Sequence, residues 1–296
     1  MCVCVVCVHA DTGYKLNRAL YESVCMSFLT QLGVKSSKQL GEIIRATFAS
    51  SLKTKELARP PRRPGGRKAA AEAGVVCVEQ YWLKRGPVEP RDPAVPDAHG
   101  KVAFVVVPSV RRHIQNLARA VLSGRHPVLL QGPTSSGKTT MVAYLAARTG
   151  HKCVRINNHE HTDLQEYVGT YVTNSAGKLV FQEGALVTAM REGAWVILDE
   201  LNLAPTEVLE ALNRLLDDNR ELFIAETLET VKPHPNFMLW ATQNPAGAYG
   251  GRKQLSQALK NRFLELHVDD IPGSCSRPAI DSMRYAVAER RLVSVV

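Results

Sequence analysis

The run Gly132-Pro133-Thr134-Ser135-Ser136-Gly137-Lys138-Thr139 fits the pattern G-x-x-x-x-G-K-[ST] at every fixed position. Glycines at both ends of such a loop let the backbone close on a phosphate, with successive N–H groups pointing inward at the start of a helix. An ammonium at Lys138 meets β- and γ-phosphate oxygens, and a hydroxyl at Thr139 ligates Mg²⁺. The candidate nucleotide cradle is therefore Gly132, Pro133, Thr134, Ser135, Ser136, Gly137, Lys138, Thr139 and Thr140, with Thr139 also a metal ligand. A second constellation, Trp195-Val196-Ile197-Leu198-Asp199-Glu200, is an apolar run ending in two carboxylates. Asp199 is suited to orient the metal and its waters, and Glu200 to take a proton from an attacking water.

Two more residues stand where such a site needs polar groups. Asn244 follows the apolar run Phe237–Thr242 in Ala-Thr-Gln-Asn-Pro, and its amide is placed to hold the lytic water. Arg262, in Lys260-Asn261-Arg262-Phe263, precedes the last apolar run. In ATPases that assemble as rings, an arginine in this place reaches the neighbouring module and stabilises transition-state charge. Arg252, in Gly-Gly-Arg-Lys, competes for that role. The sequence contains no Asn-Lys-x-Asp, the usual guanine reader, which favours ATP over GTP.

These side chains need a sheet to bring them together. Val128–Gln131, Cys153–Asn157, Trp195–Asp199, Phe237–Thr242 and Phe263–Val268 read as short apolar strands. Helices are expected over Lys138–Arg148, Ala185–Arg191, Thr206–Asp217 and Ser256–Asn261. In the third, Leu209, Leu212 and Leu216 share a face and Thr206 is the expected N-cap. Strands alternating with helices predict an α/β fold, a parallel sheet flanked by helices that binds ligands at the C-terminal strand ends. Tyr171–Val172 and Leu179–Phe181 around the Asn174–Gly177 turn predict a β-hairpin. Upstream, Leu16, Leu20, Val24, Phe28 and Leu32 recur every fourth residue, an apolar stripe on a helix over Tyr14–Leu32 that suits core or partner packing. Ser50–Gly100 is dense in Pro, Gly, Arg and Ala and reads as a linker or loop.

Composition bounds the rest. A hydrophobic share of 45% with 22% charged residues is ordinary for a globular chain. The longest apolar runs, Met1–Val8 and Val102–Val107, fall far short of the ~20 residues that span a bilayer. The first also lacks the basic flank of a secretory signal, so an intracellular, soluble protein is expected. The net charge is +9, yet Arg125–Asp270 holds 14 Lys and Arg against 17 Asp and Glu, so the basic excess lies outside the motifs. It is densest in KTKELARPPRRPGGRK over Lys53–Lys68, which suits a solvated linker, a nuclear-import signal or a loose nucleic-acid contact. Seven cysteines, an odd number, argue against a disulfide framework, and Cys2, Cys4, Cys7 and His9 lack the paired knuckles of a structural zinc site.

The stretches RINNHEHTDLQEYVGTY, GKLVFQEGALVTAMREGAWVILDELNLAPTEVLEALNRLLDDNRELFI and FMLWATQNPAGAYGGRK resemble the midasin family of dynein-related AAA+ ATPases, continuously from about Val107 to Pro272. GYKLNRALYESVCMSFLTQL resembles the helical end of a preceding module of that family. The resemblance implies a P-loop NTPase with an AAA+ core over 101–272, a module end over 1–49, a linker over 50–100 and a divergent tail over 273–296. It implies ATP and Mg²⁺ as ligands, and Tyr171–Phe181 as the hairpin insertion of this branch. Implied partners are neighbouring AAA+ modules in a ring and pre-60S ribosomal particles with their assembly factors, in the nucleolus and nucleoplasm. No membrane and no sequence-specific nucleic acid is expected. GSCSRPAIDSMRYAVAERRLVSVV after Pro272 does not resemble the helical lid that should follow, so the lid is missing or atypical. A fragment, a short splice product or a faulty gene model is expected, one that binds nucleotide weakly and hydrolyses it poorly alone. A MoxR-like AAA+ chaperone module and a nucleotide-binding interaction module without turnover are the alternatives. A DNA-processing role has only the basic linker in its favour.

Overall fold

Strands whose residues are apolar almost without a break form the centre of the molecule. The computed structural model describes residues 16–50, 52–53, 56–57, 74–95, 104–124, 126–245 and 253–269. Leu16–Val24 is helix α1, prolonged by a π-helical turn over Cys25–Leu29, and Val34–Phe48 is α2. An antiparallel hairpin of β1 (Val75–Val78) and β2 (Tyr81–Lys84) precedes α3 (Pro108–Ser123). There follow β3 (Val128–Gln131), α4 (Lys138–Thr149), β4 (Cys153–Asn157), the short α5 (Leu164–Val168), the hairpin β5 (Gly169–Thr173) and β6 (Leu179–Glu183), α6 (Ala185–Glu192) and β7 (Trp195–Asp199). Next come α7 (Thr206–Leu216), a hairpin of β8 (Leu222–Ile224) and β9 (Glu229–Val231), β10 (Met238–Gln243), α8 (Gln257–Lys260) and β11 (Leu264–His267).

The main sheet runs β11-β3-β10-β7-β4 with every neighbour parallel. Successive side chains leave a strand on opposite faces, and the two cores divide on that rule. Leu129, Val196, Leu198, Leu239 and Ala241 face one core with α6 and α7. Val128, Leu130, Trp195, Ile197, Met238 and Trp240 face the other, with α3, α4 and the β1–β2 hairpin. All residues of β7 and β10 are buried, as expected of strands covered on both faces. Because β10 lies between β3 and β7, the chain leaving β10 emerges between the P-loop and Asp199, at one edge of the sheet. The sheet, with helices on both faces, is the α/β fold expected from the alternation of strands and helices.

Three expectations need correction. The stretch read as linker contains β1 and β2, whose Val78, Tyr81 and Leu83 are buried against α3 and α4. The Pro-rich segment after it is fixed by main-chain bonds: Gly86 N donates to Thr149 O at 2.8 Å, Val88 N to Gly150 O at 2.9 Å and Arg91 N to Ala147 O at 2.8 Å. Those donors satisfy carbonyls that the end of α4 leaves without helical partners, a long-range use that local composition does not reveal. On α1 the apolar stripe is not the buried face: Leu16 and Phe28 are exposed, and Arg18, Ala19, Glu22, Cys25 and Met26 are buried. A charged contact dominates there, for the Glu22 carboxylate takes Arg119 Nε at 2.6 Å and Tyr81 Oη at 2.9 Å. On α7, Pro205 and not Thr206 holds the N-cap place, with no side-chain cap. Cys2, Cys4, Cys7, His9, most of the basic block, Arg252 and the tail after Pro272 lie outside the described residues.

Two buried histidines make the fold acid-sensitive. His151 stacks on Trp195 with ring centroids 4.7 Å apart and contacts Thr149 Oγ1 at 2.9 Å. Burial lowers its pKa to about 4, and burial beside Arg112 lowers that of His113 to about 4. Both are neutral in the folded chain, so the unfolded chain takes up protons first, near its ordinary value of about 6.5. Their contribution is complete above that value and is lost as pH falls from there towards 4, on the order of 2 kcal/mol for each by pH 5. Urea midpoints should fall between pH 7 and pH 5, and His151→Phe, which keeps the stack, should flatten that slope.

Candidate active site

The loop between β3 and α4 is shaped by its two glycines for different reasons. Gly132 donates its N–H to Gln243 O at 3.3 Å, and a Cβ there would lie 2.2 Å from Val268 O. A side chain at Gly132 would push β11 away from the loop. Gly137 has φ +81°, a left-handed conformation that costs a side chain roughly 1–2 kcal/mol, and it opens α4. Ser135 also has positive φ, at 64°. Ser136 Oγ donates to Pro133 O at 2.9 Å and ties the loop to itself, while Thr134, Ser135 and Thr140 are exposed.

Lys138 is buried at the first turn of α4. Its Nζ donates to Gly132 O at 2.9 Å, to Pro133 O at 2.6 Å and to Asn244 Oδ1 at 2.9 Å. The same amide turns its Nδ2 to Glu200 Oε1 at 3.3 Å. Lysine can only donate and an ionised carboxylate can only accept, so these partners fix which way the Asn244 amide faces. Asn244 thus bridges the P-loop cation and Glu200. Asn202 Nδ2 holds the Asn244 carbonyl at 3.0 Å.

Asp199 and Glu200 are separated by a backbone turn. Glu200 has φ 52° and ψ 45°, left-handed values that lift it out of the strand, and its N–H donates to Thr242 Oγ1 at 3.0 Å. Asp199 stays on the strand, 6% exposed. Its Oδ1 accepts from Thr139 Oγ1 at 3.0 Å and from Thr242 Oγ1, and its Oδ2 pairs with Arg155. Burial pushes this carboxyl up, but the hydrogen bonds from Thr242 and Thr139 and the Arg155 guanidinium outweigh it and hold the group below its ordinary value. The Asp199 carbonyl is held by Asn158, through Nδ2 at 2.8 Å and N at 3.0 Å, and Tyr167 Oη donates to Asn158 Oδ1.

An ionised carboxylate beside a hydroxyl whose oxygen keeps lone pairs is an oxygen donor set that suits Mg²⁺, so Thr139 and Asp199 fit that ion. Of the residues expected at the site, the P-loop, Lys138, Thr139, Asp199, Glu200 and Asn244 are brought together. Arg262 is elsewhere: Nε pairs with Asp217 and an Nη donates to Asn213 Oδ1 at 2.8 Å, both at the end of α7. Thr242, Arg155, Asn158 and Asn202 were not foreseen. The signal for Thr242 was available, since it stands two residues before Asn244 at the end of a buried strand.

A family model described as AAA domain (dynein-related subfamily) matches residues 127–263, and one described as Midasin AAA lid domain matches residues 1–51, ahead of the core. The chain is 55% identical over 270 residues to a Dictyostelium discoideum midasin and 41% identical over 267 residues to one from Giardia intestinalis. These matches take in 89% and 86% of this chain but only 4% and 5% of the length of the two midasins. An uncharacterised Staphylococcus aureus protein is 32% identical over 185 residues, 61% of this chain and 70% of that protein. With this sheet order, this P-loop and these relatives, the chain belongs to the dynein-related AAA family.

Proposed function

We propose that this chain binds ATP with magnesium at the P-loop and hydrolyses it, as one module in a ring of AAA modules that serves maturation of the large ribosomal subunit in the nucleus. The observation that carries the hydrolytic reading is the bridge Lys138–Asn244–Glu200, which joins the phosphate-binding cation to a carboxylate through a single amide. Phosphate oxygens are charged and accept more strongly than the carbonyls of Gly132 and Pro133. They draw the Lys138 ammonium to the β- and γ-phosphates and free the Asn244 amide to orient water. Glu200 takes the proton of that water as its oxygen bonds to the γ-phosphorus and the bond to the ADP oxygen breaks. Magnesium, when bound, neutralises phosphate charge; Thr139 and Asp199 would hold it. Single-turnover hydrolysis of γ-labelled ATP by the chain, with Mg²⁺ and with a chelator, tests this reading: phosphate release that needs Mg²⁺ supports it, and bound ATP recovered intact with Mg²⁺ contradicts it.

The ribosomal and nuclear part of the reading rests on identity to midasins, together with the family traits that the sequence resemblance implies. Its test is to express the chain inside a full-length ring and follow release of assembly factors from pre-60S particles. Within that reading Arg262 acts in trans, leaving Asp217 and Asn213 for the neighbouring nucleotide. In the isolated chain, Arg262→Ala should leave ATP affinity unchanged. It should cost about 0.5–1 kcal/mol of stability, as expected of a partly exposed ion pair. In a ring it should lower total turnover by the share of one neighbouring site. Unfolding of the isolated variant in a melting experiment would make Arg262 structural, and full turnover in the ring would shift the finger to Arg252.

A further inference from the structure

Asp199 is held from two sides, and only one of them enters the chemistry above. Thr139 and Thr242 hydroxyls address Oδ1, while Oδ2 is paired with the Arg155 guanidinium. Arg155 reaches it from β4, where Arg155 is opposite Ile197 and Asn157 opposite Asp199. Residues two apart share a face, and a long side chain spans such a diagonal between strands. The pair is asymmetric: the Arg155 side chain is 58% exposed and that of Asp199 is 8% exposed. A buried carboxylate thus carries a counter-charge that can swing into water with little loss of packing.

We infer that Arg155 is a positioning residue that tunes the metal affinity of Asp199. The inference rests on the reading of Asp199 as the metal carboxylate. A guanidinium on Oδ2 orients the carboxyl plane so that Oδ1 stays on Thr139 and Thr242. It also places a positive charge where a divalent cation is to be attracted. Without it, two adjacent acids, Asp199 and Glu200, would recruit a free divalent ion. With it, the Arg155 and Lys138 cations together match the two carboxylates until phosphates arrive, and the metal enters with the nucleotide. Arg155 thereby favours the metal–nucleotide complex over free metal.

The test uses Mn²⁺ as the probe, titrated into the whole chain by electron paramagnetic resonance, without nucleotide and with ATP. Arg155→Met, which keeps the aliphatic stem, should bind free Mn²⁺ roughly two- to fivefold more tightly, since the removed charge is partly screened by solvent. The gain should shrink at high salt and be smaller with ATP present. Arg155→Lys, which keeps the charge, should behave as the parent does. Asp199→Asn should weaken Mn²⁺ binding, and adding Arg155→Met to it should restore nothing. If Arg155→Met binds free Mn²⁺ no more tightly while Asp199→Asn binds it less, the counter-charge role fails and the metal reading stands. Unchanged Mn²⁺ binding in Asp199→Asn would overturn the metal reading and this inference with it. A collapse of the melting temperature in Arg155→Met would make the residue structural and overturn the inference alone. So would equal gains in Arg155→Met and Arg155→Lys.

Discussion

Glu200→Gln is expected to leave ATP bound with parental affinity while slowing its hydrolysis roughly 10²- to 10⁴-fold, the size of a general-base contribution. The amide keeps the length and shape of the side chain, and its oxygen still accepts from Asn244 Nδ2, now 3.3 Å from Glu200 Oε1. The left-handed backbone at Glu200 is also kept, since glutamine bears the same strain there. What is lost is only the capacity to take a proton. Binding follows from titration with a fluorescent ATP analogue and hydrolysis from released phosphate. Equal phosphate release by variant and parent would remove Glu200 from the mechanism.

Lys138→Ala is expected to weaken ATP binding roughly 10- to 100-fold, because a charge-assisted hydrogen bond contributes about 1.5–3 kcal/mol. The variant also leaves Asn244 Oδ1 and the carbonyls of Gly132 and Pro133 without the donor they now share. Some loss of order in the loop should therefore accompany the loss of affinity. Melting temperatures separate the two effects, because an affinity defect with a near-parental melt belongs to the phosphate contact. Parental affinity in a folded Lys138→Ala chain would show that this loop does not hold the phosphates.

The parts of this molecule that the sequence declares are those where local pattern and global role coincide. Trp195–Asp199 has the bounds expected of it, because a fully buried strand is apolar until polarity returns at its end, and Cys153–Asn157 keeps its expected bounds as an edge strand in which only Ile156 is buried. The P-loop is legible because phosphate binding demands particular residue types at fixed spacing. The β1–β2 hairpin was hidden by its Pro-rich surroundings, whose backbone donors are spent on α4, some sixty residues further on. The α1 face was misjudged because periodicity sees Leu16 and Phe28 but not the Arg119 that makes Glu22 buriable. Arg155 is invisible for a related reason, and Thr242, though marked by its place at the end of a buried strand, has no role to read until its partner is known. Each acquires its meaning from Asp199 on the neighbouring strand, a proximity set by the β4-β7-β10 order.

That Lys138, Thr139, Asp199, Glu200 and Asn244 form one ATP-hydrolysing site can be tested in a single turnover. The chain, in excess, is mixed with ATP labelled on its γ-phosphate, with Mg²⁺ or with a chelator, and bound ATP and released phosphate are followed together. The expected result is slow release of phosphate from bound ATP by the parent with Mg²⁺, none with the chelator, and none from Lys138→Ala. Phosphate released at the parental rate by folded Lys138→Ala, or bound ATP recovered intact from the parent with Mg²⁺, would contradict it.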